Sequence, residues 1–189
     1  MSNKSDIDLI LATARELYGR AVYTHKVHEV EREMWADTVV RMNIWNIVLA
    51  AATTIFAVIS ASLKPTWVMI VTAVLAAASI CFVIWQASFD PAGKEAQQRV
   101  AAKEMLWIRE QLLLLIQKCN GTCPSVEHLD GLLEALTTQV TAAYKFAPGT
   151  SKKAYDEADS RLKSGQFTFS DDEIDRFLPT ELRKDKPNP

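Results

Sequence analysis

Charge is almost absent from the middle of this chain. Between Met42 and Phe89, 48 residues carry one formal charge, on Lys64. A solvated domain places charged residues throughout its sequence, because these side chains are rarely buried, so a soluble fold is excluded for this stretch. The hydrocarbon core of a bilayer is ~30 Å thick and takes about 20 apolar residues in a helix. We therefore predict two membrane-spanning helices, 42–63 and 66–89, joined by a tight turn.

Glycine and cysteine are also scarce, and this excludes several kinds of site. The six glycines form no cluster, so the sequence has no phosphate-cradling loop. Three cysteines, one of them inside the second predicted membrane helix, supply no disulfide framework. The sequence also has no nucleophile elbow, paired-carboxylate cleft or strong basic surface. We expect no enzyme, no cofactor and no nucleic-acid partner.

The charges that flank the apolar segment predict how it is inserted. Within about twenty residues of it, the flanks hold seven positive residues and the turn holds one. The seven are Lys26, Arg32, Arg41, Lys94, Arg99, Lys103 and Arg109. Because positively charged flanks remain on the cytoplasmic side, we expect both termini in the cytoplasm. Residues 1–41 lack the apolar core of a cleavable signal, so we expect the first membrane helix to direct insertion.

The N-terminal arm, residues 1–41, has the periodicity of an amphipathic helix. Its apolar residues recur three or four positions apart, with one slip near Thr24 and His25. They are Ile7, Ile10, Ala14, Leu17, Ala21, Val27, Val30 and Met34. Neither Pro nor Gly interrupts residues 20–63, so we expect the arm and the first membrane helix to form one rod.

The segment after the hairpin, residues 90–150, predicts two more helices. One extends over about 94–118, after a break at 90–93, and the other follows an N-cap at Ser125. Their apolar residues lie at coiled-coil spacing, which favours packing with the arm or between copies. The last segment, 151–189, is a polar tail, in which a capping box at Ser170 starts a short helix. The predicted class is an all-α membrane protein: a two-helix transmembrane hairpin, long helical arms and a small helical tail.

Small and polar residues form a stripe along each predicted membrane helix. The stripes are Asn46, Ala50, Thr53, Ala57, Ser60 and Lys64 on the first helix, and Thr72, Ala76, Ser79, Val83 and Gln86 on the second. Such a stripe is either a packing seam between helices or the lining of an aqueous path in an oligomer. One hairpin has one internal seam, so we expect the second stripe to be free for another role.

Ionisable residues occur only at the ends of the predicted hairpin. Arg41 and Asp90 lie at the near mouth of a pore built from these helices, and Lys64 lies at the far mouth. Proton relays and coupled transporters place ionisable groups at membrane depth, so both classes are disfavoured.

Two groups of residues have spacings that metal sites sometimes use. They are His25 with His28 and Glu29, and Cys119 with Cys123 and His128. The first group has no fourth ligand nearby in sequence, and the second lacks the usual second pair of ligands. We expect solvated helix surface at the first group and a metal ion at neither.

The order of these features resembles a known family. The arm carries conspicuous residues ahead of the charge run that ends at Glu33, namely Glu16, Leu17, Tyr18, Arg20, Tyr23, His25, His28 and Glu29. The tail from Ala154 to Arg183 contains the run Phe167 to Asp175, followed by Leu178-Pro179. With the hairpin between them, over about residues 7–183, the layout resembles the SLATT family. The name abbreviates the SMODS and SLOG associating two-transmembrane effector domain of bacterial conflict systems.

The resemblance implies a pore-forming effector. Such an effector permeabilises or depolarises the bacterial inner membrane as a homo-oligomer when a separate sensor protein or a nucleotide signal triggers it. The expected outcome is abortive infection, an anti-phage defence. The family transfers no catalytic residues. The alternative is a non-conducting membrane anchor or scaffold for a signalling partner.

Overall fold

The described part of the chain is almost entirely helical. A computed structural model describes residues 2–63, 65–121 and 125–165. These residues form five helices and no strand: α1 (Ser2–Leu63), α2 (Thr66–Phe89), α3 (Pro91–Asn120), α4 (Val126–Phe146) and α5 (Lys152–Lys163). The predicted all-α class is confirmed for this part of the chain.

Helix α1 is the axis of the structure. It comprises 62 residues without a break and, at 1.5 Å per residue, is about 93 Å long. Each of the other four helices packs against it. The arm and the first apolar segment thus form one rod, as the absence of Pro and Gly after Gly19 predicts.

The first half of α1 forms a three-helix bundle with α3 and α4. Each helix contributes one apolar face to a common core. The buried residues are Ile10, Ala14, Leu17 and Ala21 of α1, Met105, Ile108, Leu112 and Leu115 of α3, and Leu129, Leu136, Val140 and Ala143 of α4. These are the faces that the sequence periodicity predicts. The predicted N-cap is also present, since Ser125 Oγ accepts a hydrogen bond from the His128 amide at 3.3 Å.

The second half of α1 forms an antiparallel hairpin with α2. The most apolar 18-residue window of α1 has none of its residues buried, and that of α2 has 6%. An apolar face of this size is not stable in water, so both helices qualify as membrane spans. At the turn, the Pro65 carbonyl accepts hydrogen bonds from the Val68 and Met69 amides. Helix α2 therefore begins immediately after the turn.

The junction between α2 and α3 is shorter than the sequence predicts. Only Asp90 leaves the helical conformation, with a φ of 45°, and Pro91 already occupies the first turn of α3. Proline suits that position because its φ is helical and the missing N–H is not needed there. The Asp90 carboxylate accepts from the Gly93 amide at 2.9 Å. A Cβ at Gly93 would lie 2.0 Å from the Asp90 Oδ2, so a side chain there would displace the Asp90 carboxylate from its capping position.

Helix α5 was not predicted, because residues 151–165 read as polar tail. Ser151 caps it, accepting from the Ala154 amide at 3.2 Å. Ala154 and Ala158 are fully buried against Val27 and Val30 of α1. Two alanines one turn apart add too little to a hydrophobic pattern to reveal the buried face of a short polar helix. The helix predicted to begin at Ser170 lies outside the described residues.

The bundle core sets the stability of the water-exposed half. Leu112 is 0% exposed, whereas Leu9 on α1 is 70% exposed. We predict that Leu112→Ala lowers the free energy of unfolding by about 2–5 kcal/mol, because it removes buried methyl groups and leaves a cavity. Leu9→Ala is the control and should change it little. The thermal midpoint of the detergent-purified protein measures both, and equal shifts would contradict the assignment of the core.

Candidate functional site

Both stripes of the hairpin lie along the same seam. The predicted residues that are half-buried between α1 and α2 are Asn46, Thr53 and Ser60 on α1, and Thr72, Ser79 and Gln86 on α2. Residues on the outer face, such as Val48 and Ile55, are exposed. The expectation of one internal seam and one free stripe is therefore wrong. The two helices turn their small and polar faces toward each other because small residues allow the closest approach.

Three amide side chains join the helices near the base of the hairpin. The Asn46 amide donates to Gln86 Oε1 at 2.5 Å, and the Gln86 amide donates to Asn43 Oδ1 at 3.3 Å. Unpaired amides are costly in hydrocarbon, and in this cluster both polar atoms of the Gln86 amide are paired with asparagines of α1. Asn43 was missed from the predicted stripe, although it precedes Asn46 by three residues and so shares its helix face.

Three hydroxyl groups along the seam are satisfied within their own helices. Thr53, Thr72 and Ser79 each donate to the carbonyl oxygen four residues earlier, at 2.7, 2.8 and 2.8 Å. This bond removes the need for a partner across the seam. The hydroxyl oxygen can still accept a further hydrogen bond. These positions are therefore stable beside either lipid or water.

One side of the seam opens into a groove along the hairpin. The groove has a volume of about 670 Å³, and most of the side chains that line it are small. They are Ala50, Thr53, Thr54, Ala57, Val58 and Ala61 of α1 and Ala76, Ser79 and Ile80 of α2. A hairpin with this concavity can receive a neighbouring helix or, in an assembly, a column of water.

The predicted mouth residues lie at the base of the hairpin, and both are exposed. Arg41 donates to Thr38 Oγ1 at 3.3 Å. Asp90 caps α3, so its carboxylate has a structural role whatever else it does. Lys64, the predicted residue at the far mouth, lies outside the described residues.

Aromatic rings mark the level at which the helices leave the membrane. The Phe89 ring lies 5.6 Å from both Trp35 and Trp85, centroid to centroid. Lys94 Nζ lies 3.8 Å from the Phe89 centroid and 4.7 Å from that of Trp35. Tryptophan and lysine are favoured at the lipid headgroups, where an apolar ring and a charge are both accommodated. The bundle therefore begins directly above this level.

The histidines of the arm are buried, which corrects their prediction as solvated surface. His28 is 3% exposed, and its Nδ1 lies 2.6 Å from Gln98 Oε1 of α3. The Gln98 amide in turn donates to the Gly149 carbonyl at 2.8 Å. Glu31 is also buried and accepts from the Ser151 amide and hydroxyl, at 2.9 and 2.6 Å. This buried polar face of α1 therefore holds α3 and the segment between α4 and α5 in place.

Neither predicted group of metal-type residues forms a site in the described structure. Among residues 2–63, 65–121 and 125–165, no three His, Cys, Asp or Glu side chains are placed to hold a metal ion. Burial raises the pKa of the Cys119 thiol, which disfavours the thiolate that metals bind. His128 is exposed, and Cys123 lies outside the described residues.

The electrostatics of the arm favour a neutral His25. Burial lowers the pKa of this side chain. Glu29 opposes the shift, whereas Arg109, Lys26 and His28 add to it. Lys26 pairs with Glu29 at 2.8 Å, so much of the negative charge near the imidazole is already neutralised.

Comparison with known proteins gives a match to a family. The profile of the SMODS and SLOG-associating 2TM effector domain family 4 matches residues 10–173. The match spans the arm, the hairpin, the bundle and α5. No curated protein and no solved structure matches the chain.

The amide cluster predicts coupling between Asn46 and Gln86. Gln86→Leu leaves the Asn46 amide without its partner, so we expect it to destabilise the hairpin by about 1 kcal/mol. Asn46→Leu added to Gln86→Leu should cost less than the sum of the single changes. A double-mutant cycle on the unfolding of the detergent-purified protein measures this. Additive single effects would show that the two amides do not interact.

The buried imidazole predicts an acid-sensitive bundle. Because the folded pKa of His25 lies below its unfolded value of ~6.5, the unfolded chain takes up the proton first as the pH falls. Stability is therefore complete above pH ~6.5 and declines as the pH falls toward and through the folded pKa. We expect His25→Gln to flatten this decline in the thermal midpoint between about pH 5 and 8. His128→Gln, at an exposed site, should not alter it, and an unchanged slope in His25→Gln would refute the assignment.

Proposed function

Because the chain belongs to the SMODS and SLOG-associating 2TM effector domain family 4, we propose that its hairpins assemble into a pore in the bacterial inner membrane. Membership in a two-transmembrane effector family makes it a membrane effector of a defence system. The two long helices with exposed apolar faces agree with that membership. Conduction and its consequence, depolarisation or permeabilisation of an infected cell in abortive infection, are the proposed steps.

The groove along the hairpin is the observation that carries this proposal. A lipid-facing helix pair with no further role would present a uniformly apolar surface. This pair instead has a shallow groove of small residues, mostly apolar, that contains the hydroxyls of Thr53, Thr54 and Ser79. Two helices cannot enclose water, so several copies must arrange their grooves around a common axis. The described residues from Met42 to Phe89 include no charged side chain, so we expect such a pore to be poorly selective.

The hydrogen bonds of the groove support a pore that can also be closed. Each of these three hydroxyls already donates to its own helix, so it remains satisfied beside lipid or a packed neighbour. In an assembled state the same oxygens accept hydrogen bonds from water. These three hydroxyls are therefore hydrogen-bonded in both a closed and a conducting arrangement. The free-energy difference between the two is then small enough for a modest signal to shift their populations.

The charge distribution supports a trigger on the cytoplasmic side. We expect both termini and the bundle in the cytoplasm, because positively charged flanks remain on that side. Each described helix either forms the hairpin or packs on α1. We therefore propose that a separate protein senses the infection, or that a nucleotide signals it. The family description names association with SMODS and SLOG proteins, which suits this division of roles.

The leakage of liposomes tests conduction. We predict that Thr53→Leu with Ser79→Leu lowers dye and ion leakage, because it fills the groove and removes its hydrogen-bonding groups. We expect leakage to fall about tenfold for each ~1.4 kcal/mol that the two leucines add to the barrier for permeation. The wild-type and variant proteins are purified and reconstituted separately, at equal protein-to-lipid ratio.

Val48→Leu with Val74→Leu is the control, because both valines are exposed and neither lines the groove. It adds methylene groups outside the groove and should leave leakage unchanged. If expression of the wild-type protein arrests growth but liposomes that contain it do not leak, the result favours the alternative, a non-conducting anchor or scaffold. Equal loss in both double variants would contradict the assignment of the groove.

A further inference from the structure

The outer face of α3 exposes three large apolar side chains at heptad spacing. Val100, Trp107 and Leu114 are 65%, 50% and 48% exposed. Helix α3 packs along α1 and begins at Pro91, so Trp107 lies about 24 Å beyond that residue. The headgroup layer extends only ~5–8 Å beyond the hydrocarbon, so lipid does not cover this stripe. We call these three residues the α3 stripe.

Two hollows border the α3 stripe on the side of α4. One has a volume of about 450 Å³ and lies between Val100 and the residues around Phe146, whose ring is 78% exposed. The other has about 190 Å³ and lies beside Trp107 and Leu114, against Leu136. Exposed apolar residues next to apolar hollows are typical of a protein-protein interface.

We propose that a second copy of this chain covers the α3 stripe. The hairpin fixes every copy at the same height and in the same orientation relative to the bilayer. Two α3 helices that meet are therefore parallel and in register. Residues seven positions apart lie on one face of a helix, so the stripe residues of two parallel α3 helices can meet along the whole contact. A two-fold axis along the membrane normal then pairs each stripe residue with its own counterpart.

The charges beside the stripe are self-complementary in this arrangement. Lys103 and Glu104 follow Val100 by three and four residues, so they lie on opposite sides of it along the helix surface. Both are exposed, and neither forms an ion pair within the described residues. A two-fold axis places Lys103 of one copy opposite Glu104 of the other, twice. A partner of unrelated sequence would not be matched in this way by the chain's own charges.

This interface deepens the proposed function, because it gives the assembly a contact outside the lipid. It rests on that proposal only in expecting several copies to associate. Pairing through α3 holds two hairpins side by side before any conduction. Cross-linking and leakage therefore test the interface and the pore separately.

Site-specific cross-linking tests the interface in native membranes. Cys81, Cys119 and Cys123 are replaced by serine, and single cysteines are introduced as Val100→Cys, Trp107→Cys or Leu114→Cys. Arg15→Cys and Thr138→Cys serve as controls at exposed positions away from the stripe. On mild oxidation of membrane vesicles we expect covalent dimers several-fold more abundant at the three stripe positions than at the two controls. Equal yields at all five positions, or no dimer at the stripe, would overturn the proposal.

Charge reversal tests the two-fold register. Lys103→Glu should lower the dimer yield of Trp107→Cys severalfold, and Lys103→Glu with Glu104→Lys should restore it. Failure of the double reversal to restore the yield contradicts the register. Disulfides from the stripe to a different protein would identify another occupant and so refute the proposal.

A measurement with the native cysteines guards against misfolded variants. Trp107→Asp should lower the mass of the detergent-solubilised protein in light scattering, whereas Thr138→Asp should leave it unchanged. An unchanged mass in both contradicts the interface. If stripe dimers form and wild-type liposomes do not leak, the interface stands and the pore fails. If liposomes leak and the stripe gives no dimer, the pore stands and the interface fails.

Discussion

The structure depends on one helix being continuous across two solvents. The first half of α1 is stabilised by apolar burial against α3 and α4, in water. Its second half has no residue buried in the most apolar window, which only hydrocarbon can solvate. Because no Pro or Gly follows Gly19 within the helix, the bundle and the hairpin are fixed to one rigid axis. The other four helices pack on this axis, and their positions follow from it.

The parts of the fold that rest on strong periodicity were predictable from the sequence. The uncharged run predicted the hairpin, and the heptads of α3 and α4 predicted the buried faces that Met105 and Leu129 now occupy. The short joint at Asp90 was not predictable, because a Pro-Gly neighbourhood indicates a break without showing that a helix resumes at once. Burial of His28 was missed because its partner, Gln98, lies 70 residues away along the chain.

The candidate site was predictable in its composition but not in its arrangement. Stripe periodicity identified the small and polar residues of both membrane helices. It did not show that Asn46 and Gln86 meet, because pairing depends on the register between two helices that a tight turn joins. The amides bond across the seam, whereas the hydroxyls of Thr53 and Ser79 bond within their own helices. Hydroxyls reach a carbonyl of the preceding turn, so only the amides need another helix.

The single left-handed residue between α2 and α3 has a mechanical consequence. A long loop would let the bundle and the membrane helices move independently, whereas a one-residue joint restricts their relative motion. The Asp90 carboxylate accepts a hydrogen bond from the Gly93 amide in the first turn of α3, which restricts the joint further. A rotation of α3 is therefore transmitted to α2. Helix α1 has no break at which it could bend to compensate. A rotation of α3 about its axis therefore changes how α2 packs against α1.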